Sequence, residues 1–283
     1  KELIIGQDSV EGEADTRLSP GEEAFVTAIE NAGNVVLPFT LDVLAKHQRE
    51  GVFYQTIPDA ILFSTYGRIK KGDELALPPY HAVGNLSPLE PFANAAAALG
   101  HVCMLPDQDG VLRREVMVVE YEGEYYPPMP LQVARRYLGI RETEMELHVG
   151  QSVRLGDIDI RTDEIGRMVI NFFGREKSYP YHSAVDVVSG AIPPDLFTGK
   201  AVVIGASALA TGDSKVTPFS NNVMGFEKNA TVIERIISNR FIARSEGKMQ
   251  AINFGLILLY GLILWVVMPR FRALGGGACG GGL

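Results

Sequence analysis

Residues 19–39 read SPGEEAFVTAIENAGNVVLPF, and this stretch predicts a helix followed by a strand. Ser19 is placed as the N-cap, Pro20 follows at the first helical position, and Glu22 completes a capping box with Ser19. Apolar residues recur at helical spacing from position 25, and Gly33 suits the left-handed conformation that ends a helix. The apolar run 34–39 then predicts a buried strand, so the stretch is half of an α/β unit.

The alternation of helix and strand recurs along the chain, with Gly100 predicted to end the second helix. Turn signals between these elements, Asp109-Gly110 and Gly156-Asp157, predict antiparallel pairing on either side of them. We therefore predict an α/β fold with a mixed, mainly parallel sheet and flanking helices. The further predicted elements are helices over 91–99 and 227–238, strands over 60–64, 101–105, 112–121 and 201–204, and a hairpin of 153–155 with 158–160.

A transmembrane helix is predicted to follow this domain, because residues 249–268 read MQAINFGLILLYGLILWVVM without a charge. A helix of that length rises ~30 Å, enough for the hydrocarbon core of a bilayer. Trp265 fits an interfacial anchor and Pro269-Arg270 fits a stop. The alternative is a buried core helix, which seldom runs so far without a charge. Lysine and arginine lie on both sides of the segment, so charge does not decide its orientation.

Composition narrows the classes of function. Hydrophobic residues make up 46% of the chain and charged residues 21%, as in a packed domain rather than a disordered one. The net charge of −8 offers no attraction for phosphate backbones, so a nucleic-acid partner is not expected. Cys103 and Cys279 belong to no cluster with metal-ligand spacing, so we expect no metal. No GxGxxG motif follows a predicted strand, and we expect no cofactor.

Two stretches have the composition of catalytic motifs but the wrong context. Ser207 follows a predicted strand, as a nucleophile elbow would, yet Leu209 stands where that turn needs a small residue, and no histidine follows Ser207. Thr198-Gly199-Lys200 precedes its strand, whereas a phosphate-binding loop must follow one. No catalytic residue is assigned.

Six polar residues are candidate ligand-binding residues. Asp107, Asp109 and Arg113 surround the Asp-Gly turn, where two carboxylates could bind a cation or a basic group. A hairpin turn with flanking surface charges explains them equally well. Ser207, Asp213 and Thr217 follow the predicted strand 201–204, at the edge where open α/β sheets bind ligands. For Asp213 the alternative is a hydrogen bond to the backbone of its own loop.

Three stretches resemble the type-2 CHASE domain. They are GHVCMLPDQDGVLRR at 100–114, YPPMPLQVA at 126–134, and FTGKAVVIGAS at 197–207 with Asp213, Thr217-Pro218 and GFEKNA at 225–230. The resemblance covers about 34–270. It departs at Lys228-Asn229-Ala230, where the family usually has a residue such as His or Ile followed by Ala-Asn.

The resemblance implies an extracytoplasmic sensor of the kind attached to bacterial cyclases, histidine kinases and serine/threonine kinases. Residues 1–240 would be the sensor domain, 249–268 the membrane helix in the inner (plasma) membrane, and 269–283 a cytoplasmic Gly-rich linker or the start of a second membrane helix. Residues 1–248 would lie outside the cytoplasm, so Cys103 and Cys279 would not pair. The family's first membrane helix and opening strand are not seen, and we expect the chain to be part of a longer protein.

The leading hypothesis is thus a membrane receptor. Its ligand would be a small molecule or an envelope component, lipid would surround 249–268, and we expect a homodimer. The output domain would most readily be an adenylate or guanylate cyclase, with a histidine or serine/threonine kinase as the alternative. A membrane-anchored enzyme acting through Asp107, Asp109 and Asp213, and a purely structural or dimerising ectodomain, are the other hypotheses.

Overall fold

The computed structural model describes residues 18–43, 59–71, 79–207, 214–242 and 246–275, and in the last of these ranges it describes side chains over 252–267. The chain divides into two compact units, Lys1–Phe241 and Ile242–Leu283. The first unit contains helices, strands and the apolar core. Among its described residues, the second contains one long helix.

The helices are α1 (Pro20–Ala32), α2 (Asp59–Leu62), α3 (Glu90–Ala95), α4 (Met129–Tyr137), α5 (Ala184–Val188), α6 (Gly225–Ile237) and α7 (Glu246–Gly275), with short 3-10 turns at Glu142–Glu144 and Pro194–Phe197. The strands are β1 (Val36–Leu41), β2 (Arg68–Lys70), β3 (Tyr80–His81), β4 (Asn85–Leu86), β5 (Ala98–His101), β6 (Arg114–Val116), β7 (Val119–Tyr121), β8 (Glu124–Tyr126), β9 (Met145–His148), β10 (Ser152–Leu155), β11 (Ile158–Arg161), β12 (Arg167–Val169), β13 (Ser214–Lys215) and β14 (Val223–Met224).

The described strands form several small sheets rather than one large sheet. Their orders are β4-β1-β5, β11-β10-β9-β2, β3-β7-β8, β12-β6 and β13-β14. Parallel pairing joins β1 to β5, β2 to β9 and β3 to β7, and the other described pairs are antiparallel. The fold is mixed α/β as predicted, but the prediction of a mainly parallel sheet is wrong. Four of the described pairings join strands that are consecutive in the chain, and such hairpins are necessarily antiparallel.

The helix at the start of the described chain is confirmed with its predicted caps. Ser19 Oγ accepts from the backbone N–H of Glu22 at 3.4 Å, and Glu22 Oε2 accepts from the backbone N–H of Ser19 at 2.8 Å. Gly33 ends the helix with φ of 62°. The strand that follows begins at Val36 instead of residue 34.

Three further predictions are confirmed. Residues 153–155 pair with 158–160 in the hairpin β10–β11, α6 runs over Gly225–Ile237, and Asp109-Gly110 forms a turn with Gly110 at φ of 79°. The antiparallel pairing predicted across that turn is wrong, because β5 pairs with β1 and β6 pairs with β12. The strand predicted over 112–121 is divided into β6 and β7.

Two predicted strands are wrong. Residues 59–62 are the helix α2, because an apolar run this short fits either element and its length does not separate them. Residues 201–204 lie outside any described strand, with Val202 53% and Ile204 90% exposed. Their β-branched composition favours a strand, but a strand also needs a paired neighbour.

Gly100 has a different function from the predicted helix cap. Helix α3 ends at Ala95, and Gly100 lies within β5, which runs over Ala98–His101 rather than 101–105. A Cβ atom at Gly100 would lie 2.5 Å from both Cα and the backbone N of Met129. Glycine is therefore needed here because the start of α4 packs directly against β5.

Two clusters of buried side chains form the core of the first unit. One joins β9, β10 and β11 to α4 and α6 through residues such as Leu131, Leu155 and Val232. The other joins β1, β5 and β7 to α2 and α3 through residues such as Phe39 and Leu99. Strand β6 lies between them, since Val116 belongs to the second cluster and Met117, directly after it, to the first.

The second unit contains α7, which is continuous from Glu246 to Gly275 and passes through Pro269, so the predicted stop there is wrong. Proline removes one helical hydrogen bond and kinks a helix without always ending it. Over the part of the chain that the structure describes, no helix is both long and apolar enough to cross a membrane. The membrane helix over 249–268 stays a prediction.

We expect Gly100→Ala to lower the free energy of unfolding by about 1–3 kcal/mol, because the added methyl group would overlap backbone atoms that cannot rotate away. The measurement is urea unfolding of the full chain in detergent, followed by circular dichroism. Gly21→Ala is the matched control, since a Cβ there meets nothing within 4 Å. Equal stability of the two variants would contradict the close approach.

Candidate functional site

A cleft of about 1310 Å³ lies in the first unit along β1. The backbone carbonyls of Val35 and Phe39 accept hydrogen bonds from residues at the two ends of β5. Since backbone groups of successive residues alternate in direction along a strand, those of Val36 and Pro38 point away from β5. Strand β4 pairs only with Thr40 and Leu41, so it leaves this part of the edge uncovered. We call this space the β1 cleft.

Helices α1, α4 and α6 and the segment 201–205 complete the walls of the β1 cleft. Val133 and Tyr137 of α4 and Phe226 of α6 contribute to the lining, which is mainly apolar. Val202 and Ile204 also line it while remaining largely exposed. Gly205 lies against α6, where an added Cβ would be 2.6 Å from Cβ of Phe226. An apolar wall left open to water is typical of a ligand cleft.

The lining contains three positively charged residues, Arg136, Lys200 and Lys215, and one negatively charged residue, Asp42. The cleft is thus net positive in a chain whose net charge is −8. Field lines concentrate in a concave, low-dielectric site, so this excess favours an anionic group.

Asn229 is a buried polar residue of the cleft wall. It lies in the second turn of α6, is 5% exposed, and its Oδ1 has no hydrogen-bond partner among the described residues. A buried amide oxygen without a partner costs about 1–3 kcal/mol. Such an atom is a natural acceptor for a ligand N–H or O–H.

An ion pair between Lys228 and Glu115 lies directly beside Asn229 in the sequence. Lys228 Nζ is 2.6 Å from Glu115 Oε2, and the two side chains are 0% and 2% exposed. Lys228 shares the inward face of α6 with Val232 and Ile236, one and two turns further on. The pair therefore fastens α6 to β6 at a position where that face would otherwise be apolar.

Burial sets the protonation of the groups around this pair. Burial raises the pKa of Glu115, and the charge of Lys228 offsets part of this increase. It lowers the pKa of His101 to about 3, with the charge of Lys228 adding to the effect. It raises the pKa of the Cys103 thiol to about 11. At neutral pH His101 is therefore uncharged and Cys103 is a thiol, which is a weak nucleophile.

Glu227, in the first turn of α6, binds a neighbouring loop. Its carboxylate accepts from the backbone N–H groups of Lys177 and Ser178 at 3.0 and 2.7 Å and from the hydroxyl of Tyr181 at 2.6 Å. Three charge-assisted hydrogen bonds on one buried carboxylate make a strong attachment. The loop 177–181 is thereby tied to the first turn of α6.

Three of the six predicted site residues meet in one network of ion pairs. Arg113 binds Asp107 at 3.2 Å and Asp109 at 2.8 Å, and it lowers the pKa of Asp109 to about 2. Asp107 also pairs with Arg114, and Arg167 pairs with Asp163 at 2.8 Å in the same network. The charges of the turn are thus matched by protein groups, as expected of the structural alternative.

The other three predicted residues lie apart from that network. Thr217 is buried and closes its own turn, donating to the carbonyl of Ser220 at 3.1 Å and accepting from its N–H at 3.2 Å. Ser207 is exposed. Asp213 lies outside the described residues. A ligand-binding role for the six residues stays a prediction.

Sequence reasoning missed Asn229, Glu115 and the buried state of Lys228. For Lys228 and Asn229 the sequence did carry a signal, because residues 228–230 depart from the pattern of the family. Glu115 gave none, because a glutamate within a short apolar strand is usually exposed, and its partner is 113 positions away.

Comparison with known families identifies the domain. The CHASE2 domain model matches residues 3–269, so the chain belongs to the CHASE2 family. CHASE2 is an extracytoplasmic sensory domain of cyclase and kinase receptors. No curated protein and no solved structure matches the chain.

We expect Lys228→Met to lower the free energy of unfolding by about 3–5 kcal/mol, because it leaves Glu115 buried without its partner. The double variant Lys228→Met with Glu115→Leu should recover most of the loss, since it removes both charges at once. Urea unfolding of the three chains gives the comparison. A double variant as unstable as Lys228→Met would contradict the assignment of the pair.

Acid should destabilise the first unit through His101. The unfolded chain binds a proton at this residue below about pH 6.5, whereas the folded chain resists it down to about 3, so stability is lost as the pH falls between these values. At pH 4 the loss should reach about 3 kcal/mol, at ~1.4 kcal/mol per pH unit. His101→Gln should flatten this pH dependence, and His182→Gln, at an exposed site, should leave it unchanged. Parallel pH profiles for both variants would contradict the role of His101.

Proposed function

We propose that this chain is the sensory part of a receptor in the inner (plasma) membrane. Residues 1–248 lie outside the cytoplasm, 249–268 cross the membrane, and the chain from Arg270 onward enters the cytoplasm. A small molecule or an envelope component binds the first unit, and two copies form a homodimer. Membership of an extracytoplasmic sensory family supports the location of the first unit.

The observation that carries this proposal is the surface of α7. Every described side chain from 252 to 267 is exposed, and thirteen of them are large and apolar, among them Phe254, Leu258 and Trp265. A helix on a protein surface in water buries one face and carries polar groups on the other, whereas this one is apolar all round. Lipid is the surrounding that satisfies such a surface.

The receptor acts by coupling ligand binding to a change in that helix. A ligand shifts an equilibrium only if it binds one conformation better than the other. Helix α6 ends at Ile237 and α7 begins at Glu246, so few residues separate the anchored helix of the first unit from the helix assigned to the membrane. We propose an adenylate or guanylate cyclase as the output domain, and a histidine or serine/threonine kinase as the second candidate.

We expect Leu258→Arg to raise the apparent free energy of membrane insertion by about 2.5–3.5 kcal/mol, because it places a charge near the centre of the span. Glycosylation mapping of the full chain in microsomes measures the inserted fraction. Leu258→Phe is the control and should insert like the unchanged chain. Failure of the unchanged chain to insert, or equal insertion of the arginine variant, would contradict the assignment of 249–268.

A further inference from the structure

We infer that the β1 cleft is the sensory site and that it binds an anionic amphiphile: an apolar chain, a hydrogen-bond donor beside it and an acidic group at one end. This inference rests on the proposed receptor function and specifies its ligand. Three independent features of the cleft carry it, namely its apolar wall, its charge and its unsatisfied acceptor.

The apolar wall determines the body of the ligand. Val202 and Ile204 present β-branched side chains to the cleft and are largely exposed, and Val36 lines the opposite side on the uncovered edge of β1. Covering these side chains removes apolar surface from water, which is the main source of binding free energy for an apolar chain. Pro38 has no N–H, so this edge is a poor template for a peptide strand. A flexible hydrocarbon fits the wall better than a peptide.

The charge of the cleft determines the end group. Arg136, Lys200 and Lys215 line the cleft against the single carboxylate of Asp42. Arg136 donates to the carbonyl of Gly33, and Tyr137 donates to the carbonyl of Gly199, so these contacts tie α4 to the chain before β1 and to the chain before the segment 201–205. An acidic group on the ligand lowers the electrostatic energy of this site, whereas an ammonium group raises it.

Asn229 indicates that the ligand carries a hydrogen-bond donor. Its Oδ1 is the buried atom of the cleft lining that has no partner within the described part of the chain. A ligand N–H placed here satisfies an acceptor that otherwise stays desolvated, so a ligand without the N–H should bind more weakly. The contact also explains how binding reaches the rest of the molecule, because Asn229 follows Lys228, which fixes α6 to β6.

The test uses two probes that differ at the amide nitrogen, N-octanoylglycine with N–H and N-octanoyl-N-methylglycine with N–CH3. Both carry the same chain and carboxylate, and only the first has an amide N–H. Binding to the full chain in phospholipid nanodiscs is measured by calorimetry, with empty nanodiscs subtracted. We expect N-octanoylglycine to bind about ten-fold more tightly than its N-methyl analogue. Octylammonium, with the opposite charge, should bind less tightly than either.

Variants locate the binding. Asn229→Leu should abolish the preference for the amide N–H, and Asn222→Ala, at an exposed asparagine outside the cleft lining, should keep it. Lys200→Gln, at an exposed site, should weaken both anionic probes several-fold while leaving the melting temperature unchanged. The Lys200→Gln variant keeps the inference testable if Asn229→Leu fails to fold.

The inference is overturned if neither anionic probe binds, if both bind equally, or if Lys200→Gln and Asn229→Leu both bind like the unchanged chain. Incorporation into nanodiscs is scored separately by size-exclusion chromatography. A chain that incorporates but does not bind the probe overturns the ligand class and leaves the receptor function standing. A chain that binds the probe without incorporating overturns the membrane assignment instead.

Discussion

Among the ion pairs of the described residues, that of Lys228 with Glu115 has both side chains fully buried, and the position of α6 depends on it. Glu115 lies on β6, between the two apolar clusters, and Lys228 lies on the face of α6 that continues into Val232 and Ile236. Two charges without access to water tolerate little displacement, because separating them leaves each desolvated. The pair therefore fixes the rotation of α6 about its own axis and its position along that axis relative to the core.

The fixed position of α6 gives the neighbouring residues their roles. Glu227 reaches the loop 177–181 on one side, and Asn229 reaches the β1 cleft on the other. Phe226 lies against Gly205 at the end of the segment 201–205. Four consecutive residues of one helix thus contact a loop, the core and the cleft. On the ligand site that we propose, binding in the cleft would act on α6 for this reason.

The Asp-Gly turn at 109–110 is held by a network of ion pairs. Its aspartates and arginines neutralise one another, together with Asp163 and Arg167. Partly exposed ion pairs are weak singly, and a network holds a turn better than its members would alone. Arg114, the first residue of β6, belongs to this network, so the network also holds the strand that carries Glu115.

The sequence by itself determined the local elements and the apolar segment. Ser19, Glu22 and Gly33 specify α1 through contacts within a few residues, and the turn at Gly156-Asp157 specifies the hairpin β10–β11 in the same way. The family was also recognisable, because its motifs are short and contiguous. Tertiary structure alone decided that 201–204 would line a cleft instead of pairing as a strand, and that Gly100 would serve the packing of Met129. It also decided that Lys228 would be buried. Each of these outcomes depends on a partner far away in the chain, such as Glu115 for Lys228, and local patterns carry no information about such partners.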